Sequence, residues 1–271
     1  MRLQNQVIIV TGAGRGIGRA ISEALAAEGA RVALVSRTAA QLEEVAAGIR
    51  AAGGVALPVP ADVCDAEATR AMVAAAEREL GPVDTLLNNA GSLYAIGPVW
   101  EVDAEAWWTD VTINLQGVFL CCQAALPGML KRGRGRIVNM IGGGTGNAFP
   151  YASGYAASKA AVMRLTECLA METREHSIPV LAMGPGLVRT TLTQFQVDSP
   201  EGQKWLPRIQ QAFDEGRDVP PTLAASLAVE ICAGRLDRFT GRCFSAGEDL
   251  ETVEAQAEAI LAEDLRTLRM R

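Results

Sequence analysis

The sequence predicts an α/β fold of the doubly wound kind, a single domain over residues 1–271 with about seven parallel strands and helices on both faces. Three observations carry this expectation. Short β-rich runs alternate with longer segments of helical periodicity through most of the chain. The strand runs hold few polar positions, as strands covered on both faces require. A glycine cluster at residues 11–18 stands between the first strand-like run and the first helical pattern.

Residues 7–10, Val-Ile-Ile-Val, open the sheet because every side chain there is β-branched. Residues 18–28 follow as a helix, with apolar positions recurring at helical spacing. The alternation repeats through strand 31–35, helix 39–52, strand 55–59, helix 65–80 and strand 85–87. A long apolar helical pattern at 104–130 leads to strand 136–140. Helix 155–176 precedes the apolar strand 178–183, and helix 223–234 precedes a last short strand at 242–246. Two segments break the pattern. Residues 186–221 are long for a strand-to-helix connection and mix Phe195, Trp205 and Phe213 with charges, which predicts a lid loop. Residues 251–271 predict a charged amphipathic C-terminal helix in a packing role. No repeat, low-complexity tract or linker divides the chain.

Composition excludes several functions. Against 31 Asp and Glu stand 25 Lys and Arg, a net charge of −6, which argues against a nucleic-acid partner. With 49% hydrophobic and 21% charged residues, extensive disorder is not expected. A single His argues against a His-based metal cage or a His-centred triad, and no metal site is expected. His176, at the predicted end of helix 155–176, complements the helix dipole. The six cysteines lack zinc or redox spacing and read as buried, reduced thiols of a cytoplasmic protein. Residues 1–6 lack a charged-then-apolar pattern, so no leader is expected. The uncharged stretches 111–130 and 137–158 are broken by Gly, Asn, Thr, Gln or Pro, so no membrane span is expected.

Thr11-Gly12-Ala13-Gly14-Arg15-Gly16-Ile17-Gly18 joins the first strand to the first helix. Glycines let the backbone approach a pyrophosphate, whose charge the helix N-terminus stabilises. Strand, glycine loop, helix and second strand form the context of a Rossmann-type dinucleotide site, and no Walker-type Gly-Lys-Ser/Thr is present. At the end of the second strand an acidic residue would bind the adenosine ribose hydroxyl. Ser36-Arg37 stands there instead, with Arg15 in the glycine loop. Two guanidiniums suit a phosphate dianion, so NADP is expected over NAD.

On these residues the sequence resembles the short-chain dehydrogenase/reductase family, over roughly residues 7–246. Thr11 to Gly18 fits the family's glycine loop, and Asn88-Asn89-Ala90-Gly91 fits its Asn-Asn-Ala-Gly motif. Tyr155 and Lys159 fit Tyr-x-x-x-Lys, and Pro185-Gly186 with Thr190 fits the segment after the sixth strand. The resemblance implies that Asp62 and Val63 flank the adenine, Asn89 and Ala90 line the ribose, and Val188 and Thr190 hold the nicotinamide amide. It implies that Asn114 supports a proton relay. It also implies a dimer or tetramer built through helices 104–130 and 155–176. Physically, Tyr155 and Lys159 lie four residues apart on one helix face. An ammonium there is expected to lower the tyrosine pKa toward working pH, making Tyr155 the acid/base and Lys159 its tuner.

The resemblance fails at one point. The family places a serine 13 residues before the tyrosine, and that position here is Gly142. Thr145 or Ser153 could supply the hydroxyl, or the backbone of Gly142–Gly144 could form an anion nest. The expected activity is NADP(H)-dependent interconversion of a carbonyl and an alcohol. The alternatives are an NADP-binding sensor or scaffold with little turnover, and an imine or enone reductase. Residues 93–100, 145–151 and 195–213 are expected to wall the pocket with Tyr94, Trp100, Phe149, Tyr151, Phe195 and Trp205, which suits a small apolar carbonyl or alcohol.

Overall fold

A computed structural model describes residues 1–269. The strands are β1 (Val7–Thr11), β2 (Arg31–Ser36), β3 (Val55–Pro60), β4 (Val83–Asn88), β5 (Arg136–Met140), β6 (Val180–Gly184) and β7 (Cys243–Ser245). They pair in parallel in the order β3-β2-β1-β4-β5-β6-β7. β1 is buried along its length and its side chains sort by parity: Ile8 and Val10 enter one core, Val7 and Ile9 the other. The first core takes in α1 (Gly16–Ala27), α2 (Ala39–Ala51) and α10 (Pro221–Cys232). The second takes in α3 (Ala66–Leu80), α5 (Gly117–Arg132) and α6 (Ser153–Glu172). The doubly wound expectation is therefore met. Because β1 lies between β2 and β4, the chain leaves the sheet on opposite sides there and opens a crevice at the strands' C-terminal ends.

Three elements differ from the sequence expectation. The 104–130 helix is broken into α4 (Ala104–Val111), a π turn (Thr112–Gln116) and α5. By length and mean hydropathy, 1.4, the combined helix could cross a membrane. In the fold α4 packs on α6 and α5 on α3 and β4, and the helix carries Asp110 and Asn114 into the interior. The 186–221 lid is helical: α7 (Thr191–Asp198), α8 (Pro200–Trp205) and α9 (Pro207–Asp214).

The predicted 251–271 helix is two short ones, α11 (Leu250–Ala255) and α12 (Ala257–Ala262), and residues 270–271 lie outside the described residues. Past α12 the chain turns back along the sheet. Arg266 C=O accepts the Cys243 N–H (3.0 Å) on the outer side of β7. Glu167 on α6 accepts the Leu268 N–H (2.6 Å) and pairs with Arg269 (2.9 Å). Two smaller expectations also change. α6 ends at Glu172, and His176 is exposed in a 3₁₀ turn beyond it. All six cysteines are free thiols, but Cys168 is exposed rather than buried.

Candidate active site

The crevice is closed at its base by hydrogen bonds between the ends of β1 and β4. Thr11 Oγ1 accepts the N–H groups of Asn89 and Ala90, each at 3.0 Å. The Asn89 amide donates to Thr11 C=O (2.9 Å) and Gly12 C=O (3.2 Å). Gly18 meets the same cluster so closely that any Cβ there would collide with Gly12 C=O. No side chain caps the N-terminus of α1. Its first residues, Gly16 to Gly18, line a cavity of about 410 Å³. Uncapped N–H groups at a helix start fit a pyrophosphate.

Every residue assigned to the cofactor from sequence lines this one cavity, from Gly12 through Asp62, Asn89 and Lys159 to Thr190. Sequence reasoning missed Thr38, Gln41, Ser92, Ile113 and Ile141, which line it too. Arg15 and Arg37 are exposed at its rim beside Ser36, and neither forms an ion pair among the described residues. Asp62 accepts the Cys64 N–H (2.9 Å), which fixes the turn after β3. Thr190 caps α7, its hydroxyl and that of Thr193 exchanging bonds with each other's N–H.

Tyr155 and Lys159 emerge from one face of α6 into the cavity. Lys159 Nζ donates to Met140 C=O (3.0 Å) and stands 5.7 Å from the centroid of the Tyr155 ring. The expected lowering of the tyrosine pKa is not seen here. Burial comes first and the Asp110 carboxylate second, and together they push Tyr155 up to about 12. Burial also pushes Lys159 down to about 8. An ammonium that faces the ring and bonds to a carbonyl does not offset the phenol's desolvation.

Gly142 packs directly on the Tyr155 hydroxyl, and a Cβ at this position would overlap it. The two hydroxyls named as substitutes for the missing serine are both engaged elsewhere. Thr145 Oγ1 donates to Gly142 C=O (2.8 Å) in a local turn and does not line the cavity. Ser153 accepts the indole N–H of Trp107 (3.0 Å) and also lies outside it. Asn114 is buried with both ends of its amide on Ser92, accepting its N–H (2.9 Å) and donating to its C=O (2.8 Å).

The aromatic walls divide into two groups. Tyr94 and Phe195 line the cavity, meeting edge-on at 5.5 Å. Phe149 abuts Tyr155 edge-on at 6.3 Å, and Trp205 stacks on Tyr151 at 4.8 Å. Phe149 and Trp205 fill the space under the lid with Leu93, Ile96 and Leu206 rather than leaving it open. Trp100 is solvent-exposed at 82% and contributes no wall.

Comparison with known proteins agrees with this geometry. The family model described as short chain dehydrogenase matches residues 6–201. The chain is 35% identical over 247 residues to 2-(S)-hydroxypropyl-CoM dehydrogenase 3 of Xanthobacter autotrophicus, covering 90% of this chain and 96% of that one. It is 37% identical to the galactitol 2-dehydrogenase (L-tagatose-forming) of Cereibacter sphaeroides, covering 89% and 92%. Among solved structures, a gluconate 5-dehydrogenase from Burkholderia cenocepacia in complex with NADP and tartrate superimposes with a TM-score of 0.80 at 29% identity, covering 90% and 94%. With the parallel sheet, the switch-point cavity and the Tyr155–Lys159 pair in place, these matches show that the chain belongs to the short-chain dehydrogenase/reductase family of oxidoreductases.

Proposed function

We propose that this oxidoreductase uses NADP(H) to interconvert a small apolar ketone or aldehyde and its alcohol, with Tyr155 as proton donor or acceptor. One observation carries the reading most: Tyr155 and Lys159 open into a cavity whose far rim holds Arg15 and Arg37. Bound there, a nicotinamide supplies or removes the hydride. Arg15 and Arg37 are the residues to hold a 2′-phosphate, and the glycine loop and the start of α1 to hold the pyrophosphate. The relatives named as dehydrogenases of hydroxyl-bearing compounds support the reaction class, and the Burkholderia structure supports NADP.

Held as a neutral phenol, Tyr155 carries the proton that a carbonyl oxygen needs as it becomes an alcohol. Lys159 keeps its ammonium over the ring, and Asn114 serves the site by fixing Ser92. Free thiols throughout support a reducing cytoplasm. Exposed Trp108, Phe119 and Met171 on α4, α5 and α6 support assembly of copies through these helices, as a dimer or tetramer.

The test is turnover of NADPH and NADH with a panel of ketones, imines and enones. Ketone reduction with NADPH is expected. Tyr155→Phe should lose about 10²-fold or more in kcat while NADPH binding is unchanged. Arg37→Asp should weaken NADPH at least about tenfold and spare NADH. Tight NADPH binding with nothing reduced would favour the sensor reading, which Gly142 in the serine's place supports.

A further inference from the structure

Asp110 has no part in the reaction as described, yet no charged side chain among the described residues is more deeply buried. Its partners are neutral donors. The carboxylate accepts the Ser92 hydroxyl (2.6 Å), the Tyr94 N–H (2.8 Å) and the Ala95 N–H (2.9 Å). Four residues on, past the start of the π turn, Asn114 takes both backbone groups of Ser92. One helix face thus pins the stretch 92–95 by its backbone and by one hydroxyl.

That stretch is a wall shared by two parts of the site. Ser92, Leu93 and Tyr94 line the cavity, and Leu93 is also buried beneath the lid with Leu206. The Tyr94 ring meets Phe195 of α7. We propose that Asp110 is a positioning residue for the reaction proposed above, on which this inference rests: its carboxylate fixes the 92–95 wall against which substrate and lid both seat. Three converging donors need an acceptor-only group with several lone pairs, which a carboxylate is and an amide or an apolar side chain is not. A buried carboxylate without such donors would be strongly disfavoured.

The same charge reaches Tyr155, where it adds to burial in holding the phenol's proton. Facing Tyr155 are Lys159 from α6, Asp110 from α4, Phe149 from the β5–α6 loop and, behind Phe149, Arg208 from α9. Asp110 is the one negative charge in that set. Neutralising it should therefore loosen the wall and ease ionisation of Tyr155 together, a pairing that a purely structural residue would not produce.

The experiment compares the full-length chain with Asp110→Asn and with Ser92→Ala, which removes one hydrogen bond and keeps the charge. Tyr155 ionisation is read by ultraviolet difference titration against Tyr155→Phe in each background, a measurement that needs no turnover. Amide hydrogen exchange at residues 93–95 reads the wall. In Asp110→Asn, phenolate formation should move down by about half a pH unit or more, and exchange should quicken at least about tenfold. KM for the carbonyl should rise about tenfold while NADPH affinity stays within about twofold. Ser92→Ala should raise exchange and KM a few-fold and leave the titration where it was. If Asp110→Asn only lowers the melting temperature, with titration and exchange unmoved, the proposal is overturned. If that variant does not fold, Ser92→Ala decides: unchanged exchange and KM overturn it. Should the wild type reduce no carbonyl while titration and exchange shift as stated, the carbonyl-reductase reading fails and the placement of Asp110 holds.

Discussion

Lys159 and Tyr155 illustrate how two neighbouring residues can pull stability in opposite directions with pH. Burial holds the folded lysine near 8 against its ordinary 10.5, so between these values the unfolded chain binds the extra proton. Stability therefore rises with pH across that window. Tyr155 is held near 12 against 10, so from 10 upward the folded chain binds the extra proton and stability falls. Urea unfolding should show a rise from pH 8 to 10 on the order of 1–3 kcal/mol that Lys159→Met removes. Gly142→Ser should not rescue a missing hydroxyl. Its Cβ would displace a Tyr155 ring wedged against Phe149, and overpacking of this kind costs about 1–3 kcal/mol, readable as a lower melting temperature with no gain in kcat. Counting back from Tyr155 located Gly142 in the sequence. That the tyrosine hydroxyl occupies the room for its side chain is a fact of tertiary packing. Asp110 was overlooked in the sequence, although a carboxylate four residues before Asn114 in an apolar helix is a signal that could have found it.

At the level of elements, strands and the helices between them were readable because inner strands such as β1 and β2 are buried on both faces and carry that in their composition. The lid was misread as a loop because its helices are short, six to eight residues each. Two of their starts were nonetheless written in the sequence, for Pro200 and Pro207 open α8 and α9, as Pro221 opens α10, where a missing N–H costs nothing. The π turn at 112–116 was not readable. An extra residue in a helical turn leaves apolar periodicity nearly intact, while it changes which side chains share a face. The lid is held by ring contacts and by Arg189, which pairs with Asp218 (2.8 Å) and donates to Phe213 C=O (2.9 Å). Trp205→Ala should release the Tyr151 stack, weaken the lid by about 0.5–1.5 kcal/mol and raise KM for the carbonyl more than it lowers kcat, as steady-state kinetics would show. Quenching of Trp fluorescence by acrylamide offers a second readout, expected to change on substrate binding in the wild type.

For the molecule as a whole, the strand order places all the predicted cofactor residues around one crevice although they come from segments as far apart as Gly12 and Thr190. Motif order along the chain made this legible, since the glycine loop, Ser36-Arg37, Asp62-Val63, Asn88–Gly91 and Pro185-Gly186 each fall at or just after the end of a parallel strand. The tail was not legible, because its path back over β7 depends on Glu167, 101 residues before its partner Leu268. Glu167→Ala should free residues 263–269, measured as faster proteolysis of the tail and a loss of about 1–3 kcal/mol in unfolding. The tail's course also bears on how copies of the chain can meet. An open sheet has two edges, and each is a template for a foreign strand. At one end β3 interrupts its own row of donors with Pro58 and Pro60. At the other the Arg266 carbonyl already takes the Cys243 N–H. Neither border invites continuation of the sheet, and loosening the tail would uncover the Cys243 N–H, a donor that β7 would then offer to a foreign strand.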